Sequence, residues 1–274
     1  MTQALQTKGR YMAAELQEAA SVFCKAATQD ISDGLEPLAI DYARAIYTIA
    51  RGSSDAAANI LSYEFMRELE IPVTSLPPSV YSVGKGVSMQ DALGLVISQS
   101  GASEDLVRAT KGVRDNGGKV AAITNVAGSA VEGAADLTLS IGAGEEKAVP
   151  ATKTVIGSVG AGLALLAAIK PDYAARLKAS VSQFGAIGNL PVEDHAGLKA
   201  ALLSARHVYV VGRDTGFGAA HEVALKIKET CAIHAEAYSA SEVLHGPLQL
   251  ATNPLTVLML DTGAPETAES IKRG

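Results

Sequence analysis

Tryptophan is absent, cysteine occurs twice in 274 residues, and aromatic side chains make up 4% of the chain. So few large rings argue against an aromatic-rich β-sandwich. The abundant Ala and Gly instead suit closely packed α/β layers. Cys24 and Cys231 form no CxxC motif and no Cys/His cluster, so no structural metal is expected. Both lie in apolar helical patterns and read as buried free thiols. Basic charge is not in excess: 23 Lys and Arg face 29 Asp and Glu, a net −6. That excludes general nucleic-acid affinity, yet leaves room for a local site for a small anion. Long hydrophobic runs are missing too. The apolar stretch Val155 to Ile169 is Gly-rich and short of a membrane span. The N-terminus lacks a basic segment followed by an apolar one. The expectation is a cytoplasmic protein without membrane or nucleic-acid partners.

What is present is a long internal repeat. Ala45-Ile-Tyr-Thr-Ile-Ala-Arg-Gly-Ser-Ser-Asp-Ala-Ala-Ala58 reads like His207-Val-Tyr-Val-Val-Gly-Arg-Asp-Thr-Gly-Phe-Gly-Ala-Ala220. Tyr47 falls on Tyr209 and Arg51 on Arg213, at an offset of 162 positions. The same offset lays Ser98-Gln-Ser-Gly101 on Leu260-Asp-Thr-Gly263. A period this long duplicates a whole α/β unit, and a cleft shared by two units is a natural site.

Periodicity predicts helices over Tyr11–Thr28 and Leu35–Ala43. Strands follow at Ala45–Ala50, Ala92–Ile97, Lys119–Thr124 and Leu137–Ile141. Helices run from Ser53 to about Leu69, from Ser103 to Asn116-Gly117, and over Thr152–Ile169. Pro171 to Leu203 reads as a helical connection, with Asn189-Leu190-Pro191 as the boundary. Strand His207–Val211 and helix Gly216–Cys231 open the second unit. An irregular stretch, Ala235 to Pro247, precedes strand Pro254–Leu260 and helix Glu266–Arg273. Strands alternating with helices imply parallel sheets covered on both faces. The expected divisions are 1–44, 45–190 and 191–274. At the repeat offset, residue 274 matches a mid-helix position of the first copy, so the second unit is expected to be incomplete at its C-terminus.

Three groups could carry chemistry. The strand-to-helix turns Gly52-Ser53-Ser54 and Ser98-Gln99-Ser100-Gly101-Ala102-Ser103, with Thr152 at a third, present hydroxyls and free backbone N–H groups where ligands bind open sheets. Plain helix capping would use the same residues. Glu222, Lys226 and Glu229 share one helix face. They could be a solvated stripe of ion pairs, or a base beside a cation. His245-Gly246-Pro247 fixes a loop whose histidine is either structural or reactive.

Together, Ala50-Arg-Gly-Ser-Ser54, Ile97-Ser-Gln-Ser-Gly101, Val149-Pro-Ala-Thr-Lys-Thr154, Glu222-Val-Ala-Leu-Lys-Ile-Lys-Glu229 and Glu242-Val-Leu-His-Gly-Pro247 resemble the sugar isomerase (SIS) family. The likeness runs from about Ala45 to Leu260. Nearest in pattern are the isomerase half of glucosamine-6-phosphate synthase and stand-alone glucosamine-6-phosphate deaminases. The resemblance implies two flavodoxin-like three-layer αβα units with parallel sheets. It implies that Ser53, Ser98, Gln99, Ser100 and Ser103, with Arg51 and Ser54 of the first turn, hold a sugar phosphate near Thr152. It makes Glu229 the base between C1 and C2, Lys226 its helper at the oxygens, Glu222 a wall of the site, and His245 the ring opener. It also implies a homodimer and neither metal nor organic cofactor. Ala102 departs from the Glu common after Ser-x-Ser-Gly. With no Cys at position 2, the pattern points away from a glutamine-dependent synthase and toward an ammonia-releasing deaminase. Two alternatives are an isomerase or deaminase for another sugar phosphate, and a non-catalytic phosphosugar-binding module. The second would not need the Glu222, Lys226, Glu229 and His245 set.

Overall fold

The computed structural model describes residues 8–31, 34–187 and 195–274. Its helices are α1 (Arg10–Ala27), α2 (Ser53–Leu69), α3 (Ser79–Ser82), α4 (Glu104–Asp115), α5 (Lys153–Ile169), α6 (Ala174–Ile187), α7 (Ala196–Ser204), α8 (Thr215–Cys231) and α9 (Pro265–Arg273). Its strands are β1 (Ala45–Ile49), β2 (Val73–Ser75), β3 (Ala92–Ser98), β4 (Lys119–Thr124), β5 (Leu137–Ser140), β6 (His207–Gly212), β7 (His234–Ser239) and β8 (Thr256–Met259). They form two parallel sheets, ordered β2-β1-β3-β4-β5 and β7-β6-β8.

Both sheets are covered on both faces. One face of the first packs Ile46, Leu93, Leu95, Ile97 and Ile123 against Phe23, Leu61, Phe65 and Leu165 of α1, α2 and α5. The other packs Ile49, Val96 and Val120 against Leu106, Ala109 and Val113 of α4. The second sheet repeats this plan, with Val208 and Val210 facing Ala220, Ala224 and Ile227 of α8. Tyr209 and Val211 face Val243 and Ile271 on its reverse. Near-continuous apolar strands are what a doubly covered parallel sheet requires.

The duplication extends to backbone angles. Gly52 before α2 has φ 57° and ψ −130°, and Asp214 before α8 has φ 56° and ψ −133°. Glu70 and Ala232, which close the two helices, are both left-handed. Register adds a correction. Ile46 pairs with Leu93, but its counterpart Val208 pairs with Thr256, not Leu255. From β8 onward the true offset is 163. Ser98 therefore corresponds to Asp261 rather than Leu260. A one-residue slip would invert every side chain of a strand, so the sheet fixes what similarity of letters left one residue out.

Other expectations also change. Residues 35–43 are not one helix but two 3-10 turns, Glu36–Leu38 and Ile40–Tyr42, separated by left-handed Ala39. The stretch from Ala235 begins as β7, whose edge position tolerates the polar residues that made it look irregular. The edge strand β2 is too short to give a periodic signal. Cys24 is half-buried, whereas Cys231 is exposed at the end of α8 and is not a core thiol. The expected boundary Asn189-Leu190-Pro191 lies outside the described residues. No described helix is long and apolar enough to cross a membrane.

Candidate functional site

Helices α2 and α8 join the two units. Close approach is possible because Gly218 carries no side chain. A Cβ there would lie 2.6 Å from the backbone nitrogen of Ile60 and 3.1 Å from the carbonyl oxygen of Ala56. This contact carries the acidic stripe of the second unit to the first turn of α2. The Ser53 hydroxyl lies beside the Glu222 carboxylate and favours its charged form, and Leu225 lies 4.0 Å from the Cβ position of Gly52.

The stripe is not a freely solvated surface. Lys226 Nζ lies 3.4 Å from Glu222 Oε1 and 2.5 Å from Glu229 Oε2. Side-chain exposure is 16% for both Glu222 and Lys226, against 37% for Glu229. Glu222 Oε2 is buried without a hydrogen-bond partner. Burial raises the Glu222 carboxyl above its ordinary value, with Lys226 and Ser53 opposing that rise. An ammonium held between a buried and an exposed carboxylate suits proton transfer next to developing negative charge.

Beside Glu229, Thr230 joins Gly9, Arg10, Tyr11, Lys147, Val149 and Pro150 around a cavity of about 520 Å³. The buried Glu15 carboxylate shapes it by accepting from the backbone N–H groups of Lys147 and Ala148. Arg10, Tyr11 and Lys147 were not singled out from sequence. No motif marks them, and α1 reaches the loop only through tertiary packing.

The hydroxyl-rich turn is assembled at the carboxyl end of β3. Ser98 Oγ accepts from Gly101 N–H at 3.1 Å, and Ser100 Oγ accepts from Ala102 N–H at 3.3 Å. Gly101 has φ 60°, and a Cβ there would strike the side chain of Ser129. Only glycine fits both conditions. Gln99 holds the neighbouring loop, its carbonyl accepting from Asn125 N–H. Ser103 caps α4 in extended conformation, but its hydroxyl makes no capping hydrogen bond. That leaves it available to a ligand. Ser103 lines a cavity of about 430 Å³ with Arg51, Ser82, Glu104, Asp105 and Arg108. Arg51 pairs with Asp105 at 3.0 Å, and Arg108 pairs with Glu104. Arg108, a further cation here, has no motif of its own. Ser54 lies half-buried in the first turn of α2.

Two predicted residues stand apart. Thr152 is buried, and its N–H and hydroxyl both donate to Glu146 Oε1, at 3.0 and 3.3 Å. The hydroxyl is thus engaged in closing the N-terminus of α5. His245 is exposed before a 3-10 turn, and no hydrogen bond or ion pair joins it to Glu222, Lys226 or Glu229. Among the described residues, no cluster of three or more His, Cys, Asp or Glu could hold a metal ion.

The family model for the SIS domain matches residues 40–168 and 201–273. A glutamine–fructose-6-phosphate aminotransferase (isomerizing) from Pyrobaculum aerophilum is 34% identical over 253 residues, covering 86% of this chain. The chain spans 41% of that relative's length. A crystal structure from Silicibacter pomeroyi, provisionally described as a phosphosugar isomerase, superposes with TM-score 0.84 at 34% identity. The match covers 96% of this chain and 81% of that one. The C-terminal domain of glucosamine-fructose-6-phosphate aminotransferase from Francisella tularensis superposes with TM-score 0.81, covering 98% and 82%. At 22% identity that match speaks for the fold alone.

Proposed function

The chain belongs to the SIS domain family, and from that premise we propose that it is a phosphosugar isomerase whose substrate is an amino sugar phosphate. The observation that carries this reading is Lys226 held between Glu222 and Glu229 on the helix that faces the Ser53 turn.

The phosphate binds at the turns of Arg51, Ser53, Ser54 and Ser98 to Ser103. Backbone N–H groups and hydroxyls there meet the positive end of α4. A dianion competes for Arg51 and Arg108 with their own carboxylates, so binding loosens those two pairs. The sugar then extends toward α8. His245 opens the ring, supplied by the loop of a second copy in a homodimer, since within one chain nothing joins it to the stripe. Glu229 takes the proton from C2 of the open aldose. Lys226 stabilises the charge that develops on the adjacent oxygen. Returning the proton to C1 gives the ketose-type product. With an amino group at C2 that product is an imine. Water adds to it and ammonia leaves, so glucosamine 6-phosphate and water give fructose 6-phosphate and ammonia. The 34% identity to an isomerizing fructose-6-phosphate aminotransferase supports a C2 amino substrate. No step requires a metal or organic cofactor.

The test measures fructose 6-phosphate and ammonia formation from glucosamine 6-phosphate by the chain and by Glu229→Gln. Turnover by the parent, reduced about 10²–10⁴-fold in the variant, is expected for loss of a general base. Phosphosugar binding without turnover by the parent would replace this reading with a binding module.

A further inference from the structure

A second polar cavity lies on the opposite flank of α2, away from α8's acidic stripe. It measures about 300 Å³ and is lined by Thr48, Asp55, Asn59, Ser62, Tyr63 and Ser75 among others. Asp55 and Asn59 are four residues apart on one helix face. Asn59 Oδ1 is buried and has no hydrogen-bond partner. An acceptor left so is unfavourable unless something donates to it or coordinates it.

The remaining lining is rich in lone pairs. Ser62 gives its proton to the Ala58 carbonyl at 2.8 Å, which leaves its oxygen as an acceptor, and the Ser75 hydroxyl lies beside the Asp55 carboxylate. Burial raises the Asp55 carboxyl, while burial lowers the neighbouring His221 and so favours its neutral form.

The duplication provides an internal control. The second unit builds the same strand-helix-strand with Val210, Phe217, Ala224, Leu225 and Ala237 where the first has Thr48, Asp55, Ser62, Tyr63 and Ser75, while His221 stands where it has Asn59. The fold does not need Asp55 or these hydroxyls at this place.

We propose that this cavity is a binding site for a monovalent cation of the size of potassium or ammonium, coordinated by Asp55 and Asn59 Oδ1 with hydroxyl oxygens completing the shell. One carboxylate among neutral oxygens matches a single positive charge. The cavity also has room for part of the ion's water shell. The site is independent of the reaction assigned to α8.

The test compares melting temperatures in potassium, ammonium, sodium and choline chlorides at equal ionic strength. At about ten times Kd, potassium and ammonium should raise the parent's melting temperature by about 3–5 °C over choline. Asp55→Asn and Asn59→Leu should abolish that difference. Equal rises in parent and variants would mark a general salt effect and overturn the site. An equal effect of sodium would overturn its size selection. Crystals of the parent soaked in rubidium chloride give a readout that needs no variant. An anomalous peak beside Asn59 Oδ1 supports the site, and its absence refutes it.

Discussion

Glu222 and Asp214 show how single residues carry cost at this site. The folded state holds the Glu222 proton more tightly than the unfolded chain does. Stability is therefore lost as pH rises from the ordinary carboxyl value of 4.5 through the raised folded value, and the loss persists above it. Glu222→Gln removes this dependence. Urea melts should find the variant gaining on the parent between acid and neutral pH. A constant difference across pH would show that the burial of Glu222 is relieved in solution. Asp214 occupies a backbone region its counterpart Gly52 enters freely. Its carboxylate grips Arg67 at 2.6 Å, but with 28% and 44% side-chain exposure that pair is weak. Strain at such a position costs about 1–3 kcal/mol. Asp214→Gly should thus be more stable than Asp214→Ala by about that amount, measured by denaturant unfolding.

The helix pair α2 and α8 sets the geometry on which both halves of the site depend. Gly218 allows backbone contact with Ile60 and Ala56. Gly218→Ala should push the helices apart and cost about 1–3 kcal/mol, read from urea unfolding. Turnover should fall further than stability predicts, because the Ser53 to Glu222 contact spans the same interface. Unchanged activity in the folded variant would show that this spacing is not critical. Much of this element level was legible in sequence. The ends of α2, α4, α5 and α8 fell within a residue or two, because Gly, Ser and Pro punctuate long apolar patterns. The edge strands β2 and β7 were not legible, being short or polar.

Across the whole molecule, the repeat places equivalent pairs on α2 and α8 with opposite sign. Glu64 and Arg67 correspond to Lys226 and Glu229, and both pairs are 2.5 Å apart. Arg67 reaches Asp214 at the turn of the second unit. The α8 pair lies beside the Ser53 turn. Arg67→Gln should lower stability by about 1 kcal/mol or less and leave kcat within about twofold, whereas Glu229→Gln should lower turnover about 10²–10⁴-fold. Equal losses of activity would mean that both clefts contribute to the reaction.

The sequence by itself determined the duplicated α/β plan, the hydroxyl-rich turns and the face shared by Glu222, Lys226 and Glu229. Those features are local: they follow from helical spacing, turn chemistry and a repeat visible in the letters. Only the tertiary structure decided the β8 register, the burial that raises Glu222, the engagement of Thr152 by Glu146, and the exposure of His245. It alone brought α1 to the loop beside Glu229 and left Asn59 Oδ1 without a partner. These depend on which distant surfaces meet, and on how much water that meeting removes. No spacing along a chain encodes either.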